Sequence, residues 1–202
     1  MNRIIRVTAL AAALAAAAPA SAQQGAAKPR VGLGVGLPAA EFAPVFAAGV
    51  AGGALAPQLY VPINVSPVLR IEPQVGLLTS HDDQTGDEIS FKSLGAGVFY
   101  VAPLGGPLNM YVGGRLVLSF FKEKNVGGGG AVTKTTGTDW YIAAAGGGEY
   151  SVHPRFSVGV EGQLGYTAIG DRDVTTPVGT QTQQGGSSWM TQGLLFARIY
   201  LF

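Results

Sequence analysis

Hydrophobic and polar residues alternate along much of the chain with a period of two. In the first clear segment, Leu69, Ile71 and Val75 share one face. The other face carries Arg70 and Glu72. Because successive side chains of a β-strand point to opposite sides of the sheet, this pattern predicts strands with one apolar face and one polar face.

Eight such strands can be traced, and short connections alternate between them with long ones. The predicted strands are residues 31–37, 58–65, 68–78, 94–100, 108–121, 140–152, 155–167 and 190–202. Alternating segments of about ten residues, joined in turn by tight turns and extended loops, are typical of a transmembrane β-barrel. Residues 45–54 are the alternative first strand, because they form a second short apolar run.

The composition also favours a membrane barrel. Charged residues make up 12% of the chain, which is about half the share usual in soluble proteins. After residue 22, Gly, Pro or polar residues interrupt every apolar stretch before it reaches 18 residues, so membrane-spanning helices are excluded. A closed barrel is then the available way to span lipid. The absence of cysteine excludes a disulfide scaffold and thiolate chemistry.

The first 22 residues are typical of a secretory signal peptide. Arg3 and Arg6 precede an apolar run that ends in small residues at Ala22. We expect cleavage after Ala22, which leaves residues 23–202 as one barrel domain. Removal of the two arginines lowers the basic residues from 13 to 11 against 12 acidic ones, so the formal charge changes from +1 to −1. This balance excludes nucleic acid as a partner.

The sequence finishes on aromatic residues, with Tyr200 and Phe202 two positions apart. This ending resembles the assembly signal of small bacterial outer-membrane β-barrels, the family that includes the OmpA transmembrane domain and the OmpX type. The resemblance implies an all-β, eight-stranded, antiparallel up-and-down barrel in the outer membrane. Its implied partners are outer-membrane lipid and the barrel-assembly machinery. Strict alternation then turns Tyr200, Phe202 and Arg198 toward lipid, unless a bulge changes the register.

The inward faces of the predicted strands carry charges of both signs. Buried charges persist only when they are paired and hydrogen-bonded, so we predict an ion-paired network that plugs the barrel interior. Arg115 is expected to meet Glu161, and Arg70 to meet Glu149 or Glu72. The predicted members of this network are Arg70, Glu72, Arg115, Glu149, Arg155 and Glu161.

The sequence predicts no enzyme. Ser80, His81 and Asp82 are adjacent, which is not how a nucleophile, a base and an orienting acid usually meet. No catalytic, cofactor or metal site is predicted, and these residues are interpreted as part of a solvated acidic loop.

The first predicted outer loop is unusually apolar, and an exposed apolar patch generally marks a contact surface. Its candidate contact residues are Phe42, Val45, Phe46 and Val50. The predicted role is therefore structural, or surface contact through the outer loops. The alternative is binding or passage of a small hydrophobic compound near this first loop.

Overall fold

The computed structural model describes residues 30–39, 57–127 and 130–201. These residues form one sheet of ten strands, in which each pairing is antiparallel. The strands are β1 (Arg30–Ala39), β2 (Gln58–Tyr60), β3 (Ile63–Asn64), β4 (Leu69–His81), β5 (Glu88–Gly105), β6 (Leu108–Val126), β7 (Val132–His153), β8 (Phe156–Thr176), β9 (Gly179–Gln183) and β10 (Gly186–Tyr200). Within the same residues, no helix has the length and apolar character needed to cross a membrane.

The sheet closes on itself through its first and last strands. β1 pairs with β10 from Gly32 opposite Tyr200 to Ala39 opposite Gly193. β2 and β3 form successive parts of one wall strand between β1 and β4. β9 and β10 likewise pair with one edge of β8 in a continuous register and form successive parts of one strand. The ring therefore has eight strands, which confirms the predicted fold. The predicted first strand lies within β1, and residues 45–54 lie outside the described residues.

The two ends of the barrel differ. At one end the strands are joined by short turns. The β5–β6 turn contains Gly105 and Gly106, whose φ angles of 95° and 60° favour glycine. At the other end β6 and β7 stay paired as far as Val126 and Val132, and β8 continues into a hairpin with β9. We call these the turn end and the hairpin end.

The hairpins correct part of the loop prediction. The predicted strands leave extended loops between residues 121 and 140 and between residues 167 and 190, but residues 122–138 and 170–188 are largely paired strand. Both are rich in threonine and contain valine, and these residues suit a pleated strand even where glycine and polar residues interrupt them.

The wall is apolar outside and polar inside, the reverse of a water-soluble domain. Leu77, Leu94, Val112 and Ile142 point outward, and each is more than half exposed. The charged side chains that point inward from these wall strands are almost completely buried within the ring. An apolar exterior of this kind suits contact with lipid.

Aromatic side chains mark both edges of the apolar exterior. Phe120, Trp140 and Trp189 are exposed near the hairpin end, and Tyr100 and Tyr150 are exposed near the turn end. Such rings favour the two membrane interfaces, where an apolar ring can keep a polar edge in water. These five rings therefore form an aromatic belt at each edge of the apolar exterior.

β1 contributes only glycines to the interior along its central part, and these leave space for neighbouring side chains. A Cβ atom on Gly36 would overlap the ring of Tyr60, and one on Gly34 would lie 3.0 Å from Cγ of Arg198. Glycine in a strand commonly marks a place where another group approaches closely. The small face of β1 therefore allows large side chains from other strands to fill the barrel.

Candidate functional site

The interior site is organised around Arg115, which β6 places near the middle of the barrel. Its Nε and Nη2 atoms donate to the two carboxylate oxygens of Glu161 at 2.7 and 2.8 Å. Nη2 also donates to Glu72 at 2.9 Å, and Nη1 donates to the side-chain oxygen of Gln74 at 2.7 Å. Arg115 therefore links β8 on one side of the interior to β4 on the other. The predicted pairing of Arg115 with Glu161 is present.

Glu149 on β7 forms a second centre, nearer the turn end. Its Oε2 accepts hydrogen bonds from Arg70 at 2.7 Å and from Arg198 at 2.9 Å. Its Oε1 accepts hydrogen bonds from Ser157 at 2.5 Å and Tyr200 at 2.9 Å. Four donors from β4, β8 and β10 thus converge on one carboxylate that is only 2% exposed.

Glu72 connects the two centres. Its Oε2 accepts from Arg115, and its Oε1 lies 2.6 Å from Nη2 of Arg198 and 3.5 Å from Nη1 of Arg70. With Glu149 and Glu161, the network contains three carboxylates and three guanidinium groups. The formal charges of these six groups cancel, and buried charges are tolerated only when they are paired in this way.

Aromatic rings surround the cations of the network. The Cζ atom of Arg115 lies 4.9 Å from the ring centre of Tyr60 and 4.7 Å from that of Phe99. Arg198 lies 3.9 Å from the ring centre of Phe196. A guanidinium over an aromatic face gains electrostatic attraction, and the gain increases when water is excluded. These rings therefore hold the arginines in place as well as filling space.

The network includes five of the six predicted residues. The five buried members are Arg70, Glu72, Arg115, Glu149 and Glu161. Arg155 is the exception, because it lies in the exposed turn between β7 and β8. The predicted strand begins one residue before β8 does, so it placed Arg155 on the inward face of the strand. Arg155 is therefore excluded from the interior network.

The orientation predicted for the last strand is wrong. Arg198 is 0% exposed and Tyr200 is 8% exposed, and both point into the barrel. Leu195, Ile199 and Leu201 point outward instead, at 54%, 41% and 55% exposure. The pairing of β10 with β8 contains no register shift, so the whole strand faces the opposite way and no bulge is involved.

A signal for Arg198 was present in the sequence. It is the single charged residue of β10, and a lipid-facing charge is costly whereas an interior one can be paired. Tyr200, predicted as an assembly signal facing lipid, gains a hydrogen bond to Glu149 by pointing inward. The charge on the strand therefore determines its orientation more strongly than its aromatic residues do.

Three groups of predicted residues lie outside the described residues. They are the signal peptide at residues 1–22, the terminal residue Phe202, and the apolar loop residues Phe42, Val45, Phe46 and Val50. The assembly role of Phe202 and the contact role of the loop remain predictions.

His81, the last residue of β4, has the solvated surroundings that the sequence predicts. His81 Nε2 lies 3.4 Å from Asp83, and the two side chains are 53% and 97% exposed. A second ion pair at the hairpin end joins Arg172 to Asp139 at 2.7 Å, beside the bulge between β7 and β8. This pair fastens two hairpins to each other and is separate from the central network.

Comparison with known proteins assigns the fold to a family. The family model for the outer membrane protein β-barrel domain matches residues 8–189. The chain belongs to this family. Membership places the protein in the outer membrane, as the sequence predicts.

Solved structures that resemble this barrel include a Thermus protein and a Neisserial protein. A major outer membrane protein from Thermus thermophilus is 15% identical, with a TM-score of 0.58 over 87% of this chain and 100% of that one. Neisserial surface protein A is 17% identical, with a TM-score of 0.45 over 87% of this chain and 99% of that one. No curated protein sequence matches the chain. At 15% identity, the likeness to the Thermus protein shows the fold alone.

Proposed function

We propose that this outer-membrane barrel is non-enzymatic and does not conduct ions, and that it serves as a structural or surface-contact protein. The buried network of three arginines and three glutamates carries the proposal, because it occupies the interior that a channel would need. The hairpins that extend beyond the apolar wall supply the surface for contact.

The position of the network supports a plugged interior. Arg115 reaches from β6 to Glu72 on β4 and to Glu161 on β8, so its contacts cross the lumen. Tyr60 and Phe99, which stack on it, are both 0% exposed. The interior of an eight-stranded barrel is only wide enough to be filled by side chains. An ion passing through would have to displace these groups.

The pairing within the network also opposes a relay of protons or ions. Each carboxylate already contacts at least one guanidinium, and Glu149 accepts four hydrogen bonds. Removing one partner from a buried ion pair costs about 3 to 5 kcal/mol. A network built from such pairs favours one fixed arrangement, which suits a structural role.

Conductance in planar bilayers tests the plug. We expect no stable conductance from the full mature wild type or from Arg115→Leu, although Arg115→Leu should unfold at lower temperature. A sixteen-stranded porin, which has a water-filled channel, is the positive control. A large and stable conductance from the wild type would contradict the proposal.

Complementation of a deletion strain separates the structural role from the contact role. We expect loss of the protein to increase the sensitivity of cells to detergent, and the wild type to restore resistance. A variant in which residues 122–138 are replaced by an Asn-Gly turn keeps the wall and removes one hairpin. Restoration by this variant indicates a structural role, whereas restoration by the full chain alone indicates contact through the hairpin. Unchanged resistance in the deletion strain would count against both roles.

A further inference from the structure

Four of the five lysines of the chain lie together on the outer surface at the hairpin end. They are Lys92 on β5, Lys122 and Lys124 on β6, and Lys134 on β7. The interior cations are arginines, so lysine is concentrated at this edge of the barrel. We call these four residues the lysine patch.

The strand register brings the lysine patch onto one continuous surface. Lys92 lies opposite Phe120, which is an outward residue of the aromatic belt. Lys122 follows two positions later on the same face, and Lys124 lies directly opposite Lys134. Directly opposed residues of an antiparallel pair have Cβ atoms about 5 Å apart. The patch therefore extends over three neighbouring strands.

The protein balances only part of the charge of the patch. Two carboxylates face it: Glu88, which lies opposite Lys124, and Asp173 on β8, which lies opposite Thr136 beside Lys134. Four lysines against these two carboxylates leave a formal charge of +2. Among the described residues, none of the four lysines forms an ion pair. Like charges placed directly opposite each other destabilise a sheet, and Glu88 offsets at most one charge of the pair of Lys124 and Lys134.

The height of the patch matches a lipid headgroup. On β6 the outward apolar residues run from Leu108 to Phe120, and Lys122 comes next on that face. At about 3.4 Å per residue and a tilt of about 45°, this run spans about 29 Å, close to the apolar band of about 25 Å in such barrels. The lysines therefore begin where the hydrocarbon ends.

We propose that the lysine patch binds the phosphate groups of a phosphorylated lipid in the outer leaflet. Outer-membrane barrels keep their short turns in the periplasm, so the hairpin end lies at the outer leaflet. Phosphate supplies the negative charge that Lys124 and Lys134 need, and the belt beside Lys92 contacts the acyl chains of the same lipid. Occupancy of the patch fastens the β5–β6–β7 wall to the membrane at a fixed height.

Native mass spectrometry of the full mature protein, titrated with bis-phosphorylated lipid A, tests the proposal. The four-lysine variant K92Q/K122Q/K124Q/K134Q is compared with R30Q/R155Q, which removes two exposed basic groups from the turn end. One basic group near an anionic lipid surface contributes about 1 kcal/mol, or about fivefold in affinity. We expect at least a hundredfold loss of lipid A binding in the four-lysine variant and less than a twofold change in R30Q/R155Q.

Two further titrations identify the source of the phosphate. Dephosphorylated lipid A should bind the wild type about as weakly as lipid A binds the four-lysine variant. Inorganic phosphate, added at the same concentration as lipid A, should leave the binding of lipid A to the wild type unchanged. Equal binding of dephosphorylated lipid A, or full displacement by inorganic phosphate, would overturn the proposal. So would an equal loss in both variants, because net charge alone would then explain it.

A stability measurement covers the case in which the four-lysine variant does not fold. The single variant Lys134→Gln removes the opposed charge. In lipid-free detergent, the variant should resist urea better than the wild type. Once lipid A is added, the variant should resist urea less well than the wild type. The same sign of effect in both conditions would overturn the proposal. This outcome is independent of bilayer conductance, so failure of the lipid site and failure of the plug can be told apart.

Discussion

Replacing Arg198 by methionine tests the orientation of the closing strand. Arg198 is 0% exposed and contacts Glu72 at 2.6 Å and Glu149 at 2.9 Å. Removing one partner of a buried ion pair costs about 3 to 5 kcal/mol. Glu72 keeps Arg115 and Glu149 keeps other donors, so we expect the low end of that range. The free energy of unfolding should fall by about 3 kcal/mol, which lowers the ratio of folded to unfolded protein more than about a hundredfold.

The opposite orientation predicts the opposite sign. If Arg198 faced lipid, its removal would stabilise the barrel by up to about 2 to 4 kcal/mol at mid-membrane, and by about 0 to 1 kcal/mol near an interface. Reversible unfolding in urea, measured in lipid vesicles by the fluorescence of Trp140 and Trp189, gives the difference directly. An Arg198→Met barrel as stable as wild type, or more stable, would refute the inward orientation and the network drawn around it.

Two controls isolate the ion pair from the loss of a side chain. Arg155→Met makes the same chemical change in an exposed turn, where we expect a change within about 0.5 kcal/mol. Glu149→Gln combined with Arg198→Met removes one charge of each sign and restores neutrality. Residues of one network couple by about 0.5 to 3 kcal/mol, so the double variant should be more stable than the sum of the two single changes predicts.

The same unfolding assay tests the packing of side chains against the glycine face of β1 and the lipid-facing side of β10. Gly36→Ala places a methyl group against the ring of Tyr60 and should cost about 1 to 3 kcal/mol, whereas Gly148→Ala, with open space around its Cβ position, should cost less than about 0.5 kcal/mol. Leu195→Arg puts a charge at mid-height on the lipid face and should cost about 2 to 4 kcal/mol, whereas Leu201→Arg at the turn end should cost about 0 to 1 kcal/mol. Equal effects within either pair would contradict the assigned faces.

The faces of most wall strands could be predicted from the sequence because charge and period agree on them. On β4, Arg70 and Glu72 alternate with Ile71, so one register buries both charges and the other exposes both to lipid. Since a charge in lipid is costly, only one of these registers is stable. The alternation therefore determined which residues could enter the network and which pairings were available to them.

β10 could not be assigned in the same way because both of its faces are apolar. Leu194 and Phe196 lie on one face, and Leu195 and Ile199 lie on the other. A period of two is uninformative when either register buries hydrophobic residues, and the carboxylates that pair with Arg198 are distant in the sequence. The prediction for Arg155 failed for a different reason, because alternation does not show where a strand ends and a turn begins.

The network stabilises the closed barrel because it crosses the seam between the first and last strands. β1 has no interior side chain beside Arg198, since Gly34 lies directly opposite it. Arg198 therefore extends past β1 and the wall strand formed by β2 and β3 to reach Glu72 on β4, while its other contact, Glu149, lies on β7 beyond β8. Both contacts can exist together only when β10 occupies its place in the ring. An open sheet would leave a guanidinium and two carboxylates without these partners in a poorly hydrated environment, so burying the ions favours closure over the unclosed alternatives.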